Sequence, residues 1–125
     1  MATEGKTEAR RILIVEDEML VAMHLEDVLV EMGHRVVALA SRLDKAIALA
    51  NEGDIDLAFL DVNVAGEPSF PVADILRGRG IPFIFATGYG EQGLTDGYRL
   101  EVTLRKPFEP QALEQAIDRA LTESR

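Results

Sequence analysis

Cysteine is absent from the 125 residues, which excludes disulfides, thiolate nucleophiles and zinc–thiolate sites. Positive charge is scarce: 13 Lys and Arg stand against 22 Asp and Glu, a formal net charge of −9. Nonspecific binding to a phosphate backbone rests on basic side chains, so direct recognition of nucleic acid is not expected. Long apolar runs are missing as well. Stretches such as Met19 to Met23 and Val36 to Ala40 have five residues, too short for a bilayer span or a secretory core segment. A cytoplasmic protein without a membrane partner is the expectation.

The composition that remains, 47% apolar and 28% charged, is that of one folded domain with its own core. Residues 1–10 are polar and patternless and are expected to form a mobile tail. The domain is expected over 11–121, followed by a C-terminal tail at 122–125.

Five short apolar runs recur along the chain: Arg11–Val15, Arg35–Ala40, Asp56–Leu60, Pro82–Ala86 and Glu101–Leu104. Their β-branched and aromatic content suits strands. Between the first two, Val21, Leu25, Val28 and Met32 fall on one helical stripe, and Gly33 stands where a left-handed C-cap residue is wanted. Ser41 is a candidate N-cap for a second helix with the stripe Leu43, Ala46, Ile47 and Ala50. Pro71 suits a first helical turn before Val72, Ile75 and Leu76. Pro110 opens a last helix, with Leu113, Ala116, Ile117, Ala120 and Leu121 on its buried side. Glycines at 88, 90, 93 and 97 make the helix expected in Thr87–Leu100 short, frayed or absent.

Alternating strands and helices predict a doubly wound α/β fold with a parallel five-stranded sheet, in the flavodoxin-like order 2-1-3-4-5. Ligands in such sheets bind beyond the strand C-termini, where the winding reverses between the first and third strands. The acids Glu16-Asp17-Glu18 and Asp61 end those two strands. Clustered carboxylates repel and need a proton, a lysine or a hard cation, and an oxygen-only donor set favours Mg²⁺ or Mn²⁺. Thr87 and Lys106, at the ends of the fourth and fifth runs, add a hydroxyl and an ammonium. Such a constellation suits phosphoryl transfer, with an aspartate as the acceptor. Glu18 is read as a helix-start residue favoured by the macrodipole, and His24 and His34 as surface residues. Phe70 and Phe108 are read as packing anchors.

The segments RILIVEDE, LAFLD and LRKPF resemble the acid pair, phosphoacceptor and lysine-proline signature of response-regulator receiver domains, over about residues 11 to 121. FATGYG, Phe85 to Gly90, resembles the FAT GUY subgroup of that family. The resemblance implies Asp61 as phosphoacceptor. It also implies Mg²⁺ ligation by Asp17, Asp61 and the Asn63 carbonyl with Glu16 acting through water, phosphoryl binding by Thr87, Gly88 and Lys106, and a cis Lys106–Pro107 bond. Its partners would be a sensor histidine kinase or histidine phosphotransfer protein, docked on the first helix and the loop after the fifth strand, and an output protein. With no output domain after residue 121, a stand-alone switch or phosphate sink is expected rather than an enzyme turning over an external substrate.

Three positions depart from the family pattern: Val64-Ala65 replaces Met-Pro, Glu16 replaces the commoner aspartate, and Thr103 occupies the usual aromatic switch position. Two rival readings stand beside the switch: a small haloacid-dehalogenase-like phosphatase, which normally has DxD after its first strand, and a pseudo-receiver that binds without being phosphorylated. Without the aromatic at 103, signalling is expected to run through the glycine-rich segment. Phosphorylation should then slow amide hydrogen exchange across Thr87–Leu100, and unchanged exchange there would refute that route.

Overall fold

The computed structural model describes residues 9–87, 102–106 and 108–123. The helix expected between Thr87 and Leu100, the Gly88 amide and the Lys106–Pro107 bond lie outside those residues, apart from Thr87 and Lys106 themselves. In chain order the elements are β1 (Arg11–Val15), α1 (Met19–Glu31), β2 (Arg35–Ala40), α2 (Leu43–Glu52), β3 (Leu57–Asp61), β4 (Asn63–Val64), β5 (Glu67–Pro68), α3 (Phe70–Gly78), β6 (Phe83–Thr87), β7 (Thr103–Arg105) and α4 (Pro110–Glu123).

Five strands pair in parallel in the order β2-β1-β3-β6-β7. With the small β4–β5 hairpin set aside, this is the expected 2-1-3-4-5 arrangement of a flavodoxin-like sheet. Because strand side chains alternate in direction, each central strand feeds two cores. Leu13, Val15, Ala58, Leu60, Phe83 and Phe85 face α2 and α3. Ile12, Ile14, Leu57, Phe59, Ile84 and Ala86 face α1 and α4. Each fully buried leucine, isoleucine or phenylalanine here contributes about 1.5–3 kcal/mol relative to exposure. Phe85 also makes edge-on contacts with Phe70 and Phe83, at centroid distances of 5.8 and 5.5 Å.

Several local expectations shift. The buried stripe of α1 is Ala22, Leu25 and Leu29, with Val21, Val28 and Met32 half-buried on its flanks. Small Ala22 faces the core where the larger Val21 was expected. The N-cap of α2 is Arg42, not Ser41, with no side-chain cap bond; the first-turn acid Asp44 instead accepts from the Lys45 N–H at 2.7 Å. α4 continues to Glu123, into the stretch expected as a tail. Arg10 is likewise tied in, its backbone N–H donating to His34 Nδ1 at 3.0 Å and its carbonyl accepting from Arg35 at 2.9 Å. His34 is therefore buried rather than a surface residue, and burial, with Arg10 nearby, pushes its pKa down.

The turn that buries His34 depends on Gly33, whose φ is +96°. Its N–H donates to the Val30 carbonyl at 2.9 Å and that of His34 to the Leu29 carbonyl at 3.0 Å, the paired bonds of a Schellman cap. A β-carbon on Gly33 would meet nothing within 4 Å, so the penalty for alanine is conformational and not steric. Gly33→Ala should destabilise the fold by about 1–2 kcal/mol. Gly78→Ala, at the last residue of α3, outside the positive-φ region and also in open space, should stabilise it by up to about 1 kcal/mol. Urea unfolding of the two variants checks both signs.

Candidate functional site

Parallel pairing carries the ends of β1, β3, β6 and β7 to one edge of the sheet, each strand ~4.8 Å from the next. Backbone bonds continue the ladder past the strand ends: Glu16 N–H to the Ala40 carbonyl at 2.9 Å, Val62 to Ala86 at 3.3 Å and Lys106 to Thr87 at 3.1 Å. Residues 16–17, 61, 87 and 106 therefore stand in a row although ninety positions separate the first from the last. They line or border a cleft of about 530 Å³ walled by Asp17, Glu18, Asp61, Val62, Asn63, Gly66, Thr87 and Lys106.

Lys106 organises the cleft. Its Nζ lies 2.8 Å from Glu16 Oε1 and 3.1 Å from Asp61 Oδ2, with Glu18 Oε1 farther off at 3.8 Å. Glu16 is buried and Asp61 half-buried, so both pairs are only weakly screened. The carboxylate of Glu16 also accepts the Glu18 N–H at 3.1 Å, and that of Asp61 accepts the Asn63 N–H at 3.4 Å. Burial pushes the Glu16 carboxyl up to about 7; the Lys106 and Glu18 donors pull it down, and nearby Asp61 adds to the rise. Burial alone would lower the lysine, but Glu16 and Asp61 outweigh it and hold Lys106 above its usual value.

One oxygen each from Glu16, Asp17 and Asp61 lies within 4.8 Å of the others. At that separation and an effective dielectric near 20, each pair of like charges repels by about 3 kcal/mol. One ammonium offsets only part of this, and a hard divalent cation fits the all-oxygen donor set and its unbalanced charge. Asp17 is exposed and lines the cleft. Thr87 is buried at the end of β6 and also lines the cleft. Asn63 is exposed at the cleft rim, and its carbonyl belongs to the residue that starts β4. Of the residues singled out in the sequence, Glu16, Asp17, Asp61, Asn63, Thr87 and Lys106 converge. Thr103 does not line the cleft; it starts β7, half-buried and in register with Phe85.

Two features of the cleft were not expected. The chain after Asp61 forms the hairpin β4–β5, whose two central residues, Ala65 (φ 51°) and Gly66 (φ 85°), take the double left-handed geometry of a type I′ turn. Gly66 thereby becomes a wall of the cleft; the Ala-Gly pair after a two-residue strand was its sequence signal. Glu18 makes no side-chain cap bond to α1 and leans toward Lys106 instead. Its signal was a third consecutive acid after the strand. Beside the cleft, Glu18, Leu20, Val21, His24, Lys106 and Phe108 line a mostly apolar groove of about 370 Å³. Met19, Leu20 and Met23 stand exposed on the same helix, Leu20 by 82%.

The description "Response regulator receiver domain" matches residues 12–118. The phyllosphere-induced regulator PhyR of Methylorubrum extorquens is 37% identical over 118 residues, which cover 90% of this chain and 44% of PhyR. The chain spans about half the length of the curated relatives it matches. The solution structure of SdrG from Sphingomonas melonis Fr1 superimposes with a TM-score of 0.83 at 42% identity, covering 91% of this chain and 97% of that one. The BeF3-activated conformation of SdrG from Pseudomonas melonis Fr1 gives a TM-score of 0.77 at 40% identity, with 89% and 95% covered.

The raised pKa of Glu16 has a signed consequence. Relative to an unfolded value of 4.5, the fold favours the protonated acid, so this contribution is complete below about pH 4.5 and is lost as pH rises through about 7. In chelator, the wild type should lose on the order of 1–3 kcal/mol from this source between pH 5 and pH 8. Glu16→Gln keeps an acceptor for the Glu18 N–H and should lack that loss. Urea unfolding across the range checks it; a stability difference between the two proteins that stays flat with pH would show Glu16 ionised throughout.

Proposed function

The chain belongs to the response-regulator receiver domain family, and we propose that it is a phosphoacceptor switch of a two-component phosphorelay. An Asp61 carboxylate oxygen attacks the phosphorus of a phosphohistidine on a sensor kinase or histidine phosphotransfer protein. The phosphorus–nitrogen bond breaks, the imidazole leaves with the electron pair and takes up a proton, and an aspartyl phosphate remains. The observation that carries this reading is Lys106 Nζ between Asp61 and Glu16, at 3.1 and 2.8 Å, on the floor of a cleft large enough for a phosphoryl group.

Each residue has a distinct part. Lys106 turns from the Asp61 carboxylate to the incoming phosphoryl oxygens, a move of a flexible ammonium that needs no backbone change. Thr87 offers its hydroxyl from the neighbouring strand end. The hydrogen bond from the Asn63 N–H to Oδ1, on the side away from Lys106, restrains the rotation of the Asp61 side chain. Asp17, Asp61 and the Asn63 carbonyl would hold Mg²⁺, with Glu16 acting through water. When bound, the ion supplies charge neutralisation for the transferred group. Hydrolysis then returns the carboxylate: water attacks phosphorus, the oxygen–phosphorus bond breaks, and inorganic phosphate departs. This resets a switch and does not turn over an external substrate.

The groove along α1 is the surface proposed for the phosphohistidine partner. Its apolar lining opens directly beside the cleft, with Glu18 and Lys106 common to both. A helix laid there would bring its histidine to Asp61 across the shared lip. The output of such a switch would be an altered protein surface or the drainage of phosphate from its kinase. A nucleophile at the end of β3, rather than after β1, separates this arrangement from the haloacid-dehalogenase-like reading.

Incubation with acetyl phosphate and Mg²⁺ should add one phosphoryl group, read by intact-protein mass spectrometry. Asp61→Asn should lose the label entirely, and chelation should reduce the rate in the wild type by at least about a hundredfold. Equal labelling of Asp61→Asn would remove the assignment. A folded wild type that takes no phosphate would favour the pseudo-receiver.

A further inference from the structure

Glu18 occupies an unusual station. The shorter aspartate at a helix N-cap ordinarily turns back onto the orphan amides of the first turn. Glu18 forms no such bond, while its own N–H is pinned by Glu16 Oε2 at 3.1 Å. Its carboxylate instead points over the cleft, 3.8 Å from Lys106 Nζ, with 66% of its side chain exposed. It is also, with Lys106, one of the two residues that line both the cleft and the adjoining groove.

Charge balance gives that station a consequence. Glu16, Asp17 and Asp61 against one divalent cation and Lys106 leave the floor of the cleft close to neutral. Glu18 then gives the mouth a net negative charge. Exposed to solvent and too far from Lys106 for a tight pair, it acts on anything entering through solvent. Resting on the phosphoacceptor reading above, we propose that Glu18 is a specificity-determining residue that holds off small free anionic phosphoryl donors in proportion to their charge. In the reaction with acetyl phosphate, an Asp61 oxygen bonds to phosphorus as the phosphorus–acetate bond breaks and acetate leaves with its electron pair. Glu18 takes no part in those bonds and acts only on the approach and on the charge gathered at the mouth.

The test compares wild type, Glu18→Gln and Glu18→Asp with two donors: acetyl phosphate, a dianion near neutral pH, and phosphoramidate, a monoanion. Labelling rates are measured at about 0.01 M and about 1 M ionic strength, where the Debye length falls from ~30 Å to ~3 Å. At low salt Glu18→Gln should react with acetyl phosphate about three- to tenfold faster, from one unit charge several ångströms away in a high-dielectric opening. The gain should be smaller with phosphoramidate, should shrink to within about twofold at high salt, and should be mostly absent in Glu18→Asp. Beryllofluoride, titrated with Mg²⁺ and followed by amide NMR, should bind Glu18→Gln about twofold or more tightly at low salt, a readout independent of turnover. No gain at low salt, or a gain indifferent to donor charge and ionic strength, would overturn the role of Glu18 while leaving Asp61 intact. Absence of labelling in wild type and variants alike would overturn the phosphoacceptor reading, and this inference with it.

Discussion

Lys106 reaching between Glu16 and Asp61 is the contact on which the rest of the site depends. An apolar sheet edge is a poor place to gather carboxylates, because the medium that stabilises the strands also magnifies repulsion among the acids they deliver. The ammonium, 2.8 Å from one acid and 3.1 Å from the other, relieves part of that repulsion and leaves a remainder. The remainder is carried by three carboxylates close enough together that they could hold a cation. Stability and function pull against each other here: a site fully satisfied at rest would have no affinity left for a ligand.

The scaffold holds that tension by its rigidity elsewhere. Each central strand packs one set of side chains against α2 and α3 and the alternate set against α1 and α4. Sliding any strand by one residue would exchange the two sets and place polar strand-end groups in the interior. The register that buries Phe59 and Phe85 on opposite faces is therefore the register that brings Asp61 beside Ala86 and Thr87 beside Arg105. Hydrophobic packing positions the chemistry without touching it.

Much of this was legible in the chain. Short β-branched and aromatic runs at regular spacing announced the strands, and acids at the ends of the first and third pointed to the reversal in winding. Other features were not legible, for identifiable reasons. His34 looked like a turn residue because its sequence neighbours are a glycine and an arginine, whereas its real neighbours include Arg10 and the Glu114–Asp118 stretch of α4. The periodicity of α1 favoured Val21 over Ala22, since size dominates a hydrophobic stripe while close helix–sheet approach rewards the small residue. Glu18 does start a helix, as read, at the N-cap of α1, but nothing local shows that a lysine from position 106 will lie 3.8 Å from it.

From its order of residue types alone, this chain is committed to a parallel α/β sheet and to carrying acids, a threonine and a lysine at strand ends, because alternation and strand length are local properties. Distances are not local. That Glu16 is buried and Asp17 exposed, that Lys106 bonds two carboxylates and leans toward a third, and that one glutamate borders both a cleft and a groove follow only once the strands have paired. Electrostatic strength depends on separation and on exclusion of water, and both are set by which segments, distant in the chain, become neighbours.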